Sequence, residues 1–153
     1  MLLQRLARAF QKEGLSFAVA GGYAVALHGA VRGTVDVDVV LKFARRDFLA
    51  AEKIFKSLGL ISRLPVDAGQ VFDFREDYIK NRNLIAWSFH NPANPAEIVD
   101  VIITHDLNKM KIARIKLGND VIPIVSRRDL IAMKTKSGRP QDIEDVKALE
   151  ALG

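Results

Sequence analysis

The sequence predicts an α/β domain with a mixed sheet flanked by helices, and three observations carry that expectation. Short apolar runs bounded by turn residues, such as Leu84 to Phe89 and Glu97 to Thr104, read as strands. Between such runs lie stretches with a helical apolar stripe, as in residues 45 to 58, where Phe48, Ala51, Phe55 and Leu58 share one face. The run Val35, Asp36, Val37, Asp38, Val39 alternates strictly, so both carboxylates leave one face of a strand and the valines leave the other.

The elements follow in order. Residues 2 to 13 read as an amphipathic helix ended by Gly14, and Ser16 to Ala20 as a buried strand running into Gly21 and Gly22. A helix from Tyr23 to about His28 follows, then the aspartate strand Val35 to Leu41, then the helix of residues 45 to 58 stopped by Gly59. Residues 66 to 83 mix charges and aromatics without a clear period. Leu84 to Phe89 is a strand, Asn91 to Pro95 a turn, and Glu97 to Thr104 a central strand. Lys111 to Leu117 and Val121 to Val125 flank Gly118, Asn119 and Asp120 as a hairpin. Two helices close the chain. Ser126 with Asp129 three residues on suggests a capping box, and Pro140 takes the favoured first helical position.

At 153 residues, 49% hydrophobic and 27% charged, the chain suits one domain, residues 1–153, with a real core, and neither disorder nor coiled coil. Cysteine is absent, which excludes disulfides, thiolate metal sites and cysteine nucleophiles and makes the cytoplasm the expected compartment. No apolar stretch approaches the roughly 20 residues of a membrane helix, and Arg5 and Arg8 break the first apolar stripe, so no membrane partner is expected. A formal charge of +5 favours a polyanionic partner, nucleotide or nucleic acid.

The chemistry concentrates in few residues. A strand, a glycine pair and a helix start make an anion-binding arrangement, because the first helical N–H groups are unpaired and glycine lets a phosphate approach. Two like charges on one strand face are best answered by a divalent cation, magnesium above all. Asp100 interrupts an otherwise apolar central strand, and an isolated buried carboxylate there is costly unless it meets a cation or lies at the open end of its strand. If its strand neighbours that of Asp36 and Asp38, three carboxylates converge. Arg32 and Thr34, just before the aspartate strand, could contact phosphate or metal-bound water, or simply form a solvated turn. Trp87 reads as core, and His28, His90 and His105 lack metal-ligand spacing.

The run GGYAVALHGAVRGTVDVDVVL, with VDVII later, resembles the nucleotidyltransferase fold of the DNA polymerase beta superfamily: a glycine pair, a spacer, an acidic-x-acidic strand and a third acid on a later strand. The closing segment DLIAMKTKSGRPQDIEDVKAL is similar to the tail of small bacterial members, including abortive-infection type toxins. The resemblance implies that Gly21 and Gly22 hold the triphosphate of an NTP substrate, with Arg32 and Thr34 beside it. It implies that Asp36, Asp38 and Asp100 bind two Mg2+ ions, and that Lys134 stands in the site; Arg139 and Asp142 could pair beside it, or Asp142 could serve only the start of its helix. The implied activity is Mg-dependent transfer of a nucleoside monophosphate to a hydroxyl or phosphate acceptor. A toxin acting on tRNA or protein, with a partner antitoxin chain, is the implied setting. The alternatives are an antibiotic-modifying nucleotidyltransferase and a non-catalytic nucleotide-binding or regulatory protein of the same fold.

Overall fold

A strand whose residues alternate dry and acidic can sit only at a boundary between core and cleft, and the architecture is organised around that boundary. The computed structural model describes all 153 residues. Its elements are α1 (Leu2–Lys12), β1 (Ala18–Ala20), α2 (Gly21–Leu27), β2 (Val37–Val40), α3 (Arg45–Ser57), β3 (Ile61–Ser62), α4 (Ala68–Asp73), α5 (Arg75–Arg82), β4 (Ala86–Asn91), β5 (Asn94–Ile102), β6 (Ile112–Leu117), β7 (Asp120–Val125), α6 (Arg127–Ser137) and α7 (Pro140–Glu150), with a 3-10 turn at Leu107–Lys109.

The strands form one sheet in the order β3-β4-β5-β2-β1-β7-β6. It is mixed, as expected: β2 runs parallel to β5 and β1 parallel to β7, while the other four pairings are antiparallel. The parallel pairing of β2 with β5 matters most, because it sets Asp38 opposite Asp100.

One face of the sheet is dry. Val19, Val37, Val39, Val99, Val101, Trp87 and Phe89 are all fully buried, and the helices covering them supply Phe10, Phe48 and Phe55. These rings run in a continuous series. Phe10 meets Phe55 at 5.7 Å between centroids, Phe55 meets Phe89 at 4.5 Å, Phe89 meets Trp87 at 4.5 Å, and Trp87 stacks on Phe48 at 6.3 Å. Trp87 donates its Nε1 hydrogen to Ser62 Oγ at 3.2 Å, so even its polar atom is satisfied in the core.

Several boundaries differ from the sequence expectation, each for a local reason. Gly21 and Gly22 belong to the first turn of α2 rather than to a loop before it. β2 begins at Val37, so Asp36 lies just outside its ladder. The expected turn at Asn91 to Pro95 narrows to two residues, because β5 already starts at Asn94, and residues 66 to 83 contain α4 and α5. Asp67 caps α4 with a reciprocal box to Gln70. At α6 only half of the expected box forms. Ser126 Oγ accepts from the Asp129 backbone, but the Asp129 carboxylate accepts from the Lys111 backbone at 2.7 Å instead of returning to its own cap.

Phe55 joins α1, α3 and β4 through its ring contacts, so Phe55→Ala is expected to destabilise the fold by about 3–5 kcal/mol. Val31→Ala, at a fully exposed position, is expected within about 0.5 kcal/mol of wild type. Urea denaturation monitored by Trp87 fluorescence checks both; equal midpoints for the two variants would remove the aromatic series from the core of the stability account.

Candidate active site

Register and alternation together build the site. Ala20 pairs with Asp38, Asp38 with Asp100, and Asp100 with Ser88, so four side chains stand in one row across β1, β2, β5 and β4. The two carboxylates are one strand spacing apart, about 4.8 Å. Small Ala20 closes one end of the row. At the other, the Ser88 hydroxyl donates to Asp100 Oδ1. Asp36 precedes Asp38 by two residues on the same face.

This crowding changes how the acids hold protons. Burial pushes the Asp38 carboxyl up to about 7, and the charge of Asp100, a hydrogen bond shared with it and the charge of Asp36 push the same way, against Lys134. Asp36 is also raised, by burial and by Asp100, with Arg63 opposing. The trio is an acidic cluster short of positive charge. Its side chains do not close into a ready-made three-ligand cage.

Gly21 has a direct role in this geometry. Its φ is +63°, and a Cβ there would lie 1.8 Å from Asp38 Oδ2, so any other residue would occupy the space of the carboxylate itself. Gly22 serves the loop between α2 and β2: a Cβ would lie 2.7 Å from Thr34 Oγ1 and 3.3 Å from Arg32 Cζ. The pair therefore lets three side chains close on the start of α2.

A second set of charges faces the acids, and each of its carboxylates is met by two cations. Lys134, on α6 and 7% exposed, has its Nζ 3.2 Å from Asp142 Oδ1 and 2.8 Å from Asp145 Oδ2, both on α7. Arg32 Nε donates to Asp145 Oδ1 at 3.0 Å and Arg139 Nε to Asp142 Oδ2 at 2.8 Å. Burial alone would raise both carboxyls. The surrounding donors outweigh it and hold Asp142 and Asp145 below the usual carboxylate range.

All eight residues singled out from the sequence, Gly21, Gly22, Arg32, Thr34, Asp36, Asp38, Asp100 and Lys134, line a single cleft of about 470 Å³. Arg139 and Asp142 line it too, with Ile85, Ile102 and Met133 supplying apolar wall. Sequence reasoning missed Ser88, which only the β4–β5 register could reveal, and Asp145. The latter left a trace in the sequence: it lies three residues after Asp142 and thus on the same face of α7.

No known family model matches the chain, and no curated protein matches its sequence. Solved structures do. The antibiotic-resistance factor ANT(2'')-Ia superposes with a TM-score of 0.67 at 14% identity, over 99% of this chain and 83% of its own. The lincosamide antibiotic adenylyltransferase LnuA, solved with lincomycin bound, gives 0.66 at 12% identity, over 99% and 96%. A Thermotoga maritima protein described as a nucleotidyltransferase gives 0.63 at 16% identity, over 95% and 88%. At these identities the likeness is one of architecture, and the fold of this chain is that of the nucleotidyltransferases.

Proposed function

We propose that the cleft transfers a nucleoside monophosphate from an NTP to an acceptor hydroxyl, with magnesium bound at the acidic row and pyrophosphate released. The observation that carries this reading is the register pairing of Asp38 with Asp100, which packs two carboxylates together in a partly buried cleft without a protein cation bonded to either. A hard divalent ion fits that donor set: oxygen ligands only, excess negative charge, and room for substrate phosphates to complete the coordination. Asp38 and Asp100 would hold such ions, with Asp36 beside them. Magnesium supplies charge neutralisation on the transferring phosphoryl group.

The chain's own residues account for the rest. The acceptor oxygen forms a bond to the α-phosphorus, the bond from that phosphorus to the bridging oxygen breaks, and its electron pair leaves with pyrophosphate. Asp100 takes the hydroxyl proton, and Ser88 fixes the carboxylate that receives it. Gly21, Gly22, Arg32 and Thr34 border the triphosphate. Lys134 contributes from a fixed position, because Asp142 and Asp145 hold its ammonium, and with Arg32 and Arg139 the network keeps one net positive charge facing the trio.

The similarity of the closing segment to abortive-infection toxins supports tRNA or protein as the acceptor and an antitoxin as the partner chain. A second reading has its own support. Of the solved neighbours, one carries lincomycin and another, ANT(2'')-Ia, was solved with adenylyl-2''-tobramycin, so a small antibiotic hydroxyl is the rival acceptor.

Incubation with each α-labelled NTP, magnesium and either cell extract, tobramycin or lincomycin should label a product, and EDTA should abolish it. Absence of label with all four NTPs would reduce the protein to a binder. Lys134→Ala should abolish labelling of any acceptor, whereas Lys136→Ala, at an exposed position, should retain transfer to a small one. Equal losses would remove Lys134 from the site.

Asp38→Asn should lose transfer yet gain stability. The native Asp38 carboxyl keeps its proton to about pH 7, and the unfolded one only to about 3.9. Between these values the folded state binds more protons, so stability from this group is full below about pH 4 and lost as pH rises through 7. The asparagine variant should therefore match wild type near pH 4 and exceed it at pH 8 by on the order of a few kcal/mol. Parallel stability curves across that range would mean that the acidic row is not crowded in solution.

A further inference from the structure

The chain's basicity is local. Residues 109–136 hold eight lysines and arginines and two aspartates, a formal +6, against +5 for the entire chain, so everything else is nearly neutral. Of those eight cations only Lys134 is ion-paired; the other seven are exposed and unpaired. The two aspartates are already engaged. Asp120 pairs with Arg8 at 2.8 Å, and Asp129 accepts from the Lys111 backbone at 2.7 Å.

The topology turns two of these cations to the side of the sheet that carries the catalytic acids, and two more stand beside the cleft. Val19 pairs with Ile124 on the dry side of the sheet, and β6 pairs Ala113 with Ile124, so alternation puts Arg114 and Lys116 on the opposite side, the side of Asp38 and Asp100. Nearer the site, Lys109 and Lys136 line a cleft of about 340 Å³ that shares Thr104, His105 and Met133 with the catalytic one. Lys136 is close enough to His105 to help hold its imidazole neutral, after burial. Basic side chains thus stand both on the outer strand, on the side of the sheet that carries the acids, and beside the mouth of the cleft.

We infer that this face binds the phosphate backbone of a single-stranded polynucleotide, whose end enters the catalytic cleft to present the acceptor hydroxyl. A nucleic-acid strand offers a negative charge at every residue and no cation, which matches a surface of four lysines and three arginines whose few carboxylates are occupied. A protein partner fits less well. Protein interfaces are centred on apolar or aromatic anchors with charged residues depleted at their core, and Val121 is the only large hydrophobic residue exposed in this stretch. Phe43, the aromatic in the second cleft, lies under Arg75 at 4.2 Å, so base stacking is not offered and binding should be tolerant of sequence. The acceptor half of this inference rests on the transfer reading above; backbone binding does not.

The test uses the whole protein, fluorescent single-stranded RNA and DNA 20-mers, and polyglutamate as the acidic-peptide competitor. Lys109→Glu/Lys136→Glu should weaken oligonucleotide binding roughly tenfold or more and flatten the dependence of log K on log salt by about 1.4, as expected for two lost single-strand phosphate contacts. Lys12→Glu/Lys53→Glu makes the same change in net charge at exposed positions on α1 and α3, and should leave binding nearer to wild type. Equal losses in both variants, or polyglutamate competing as well as either oligonucleotide, overturn backbone binding at this face. The RNA and DNA arms identify the sugar. With labelled NTP, label on the bound strand that is lost in Lys109→Glu/Lys136→Glu supports the acceptor assignment. Label on a small hydroxyl but never on the strand overturns it and leaves the transfer reading intact. No label on any acceptor fails the transfer reading, and the binding measurement alone then decides the surface.

Discussion

Everything in this structure accommodates one unfavourable interaction, the confrontation of Asp38 and Asp100 across two hydrogen-bonded strands. Like charges a strand spacing apart in a partly buried cleft repel strongly, and a fold that adopts this register must hold it by other means. The dry side of the same strands does so. Val37, Val39, Val99 and Val101 are fully buried beneath the aromatic series, and a one-residue slip of either strand would drive its carboxylates into that core. The apolar face thus fixes the register, and the register imposes the repulsion.

Small side chains and one hydroxyl make the arrangement sterically possible. Gly21 leaves the space that Asp38 fills, Ala20 stands beside the pair without crowding it, and Ser88 donates to Asp100 from the far strand. The glycine pair consequently has a reason to exist before any ligand is considered. Its second member seats Thr34 and Arg32 against the helix start, which fixes the loop that leads into β2.

The fold class was legible because the sheet's apolar runs are short and sharply bounded, and because the valine-aspartate alternation admits one conformation only. The central residues of the cleft were legible for the same reason: a carboxylate at position 38 or 100 conflicts with its neighbours, and conflict is visible in a sequence. What stayed hidden depends on contacts between distant segments. Ser88 is an ordinary serine until β4 pairs with β5, and Asp145 an ordinary helix acid until α7 packs against α6 and places it on Lys134. The half-formed box at Ser126 failed for a related reason, since Asp129 found a tertiary donor in Lys111 that local pattern could not anticipate. Residues 66 to 83 were opaque because α5 buries none of its side chains, leaving no apolar stripe to read.

In and beside the cleft stand two groups of acids that the protein treats in opposite ways. Asp142 and Asp145 each meet two cations, and their proton affinity falls despite burial. Asp36 and Asp38 bond to none, and theirs rises. Asp36, Asp38 and Asp142 line the same opening, and burial pushes the proton affinity of all four acids upward, so burial alone cannot explain the difference; it lies in which acids the chain supplies with counter-charge. A fold could have lowered the cost of the acidic row by turning Lys134 or Arg32 toward it. Instead, α7 spends both of its buried carboxylates holding those side chains in place, which keeps them near Asp38 as fixed charges without letting them neutralise it. The result is a completed ion network beside an uncompleted one, and an uncompleted acidic network beside fixed positive charge is what a cation and a polyphosphate would complete together.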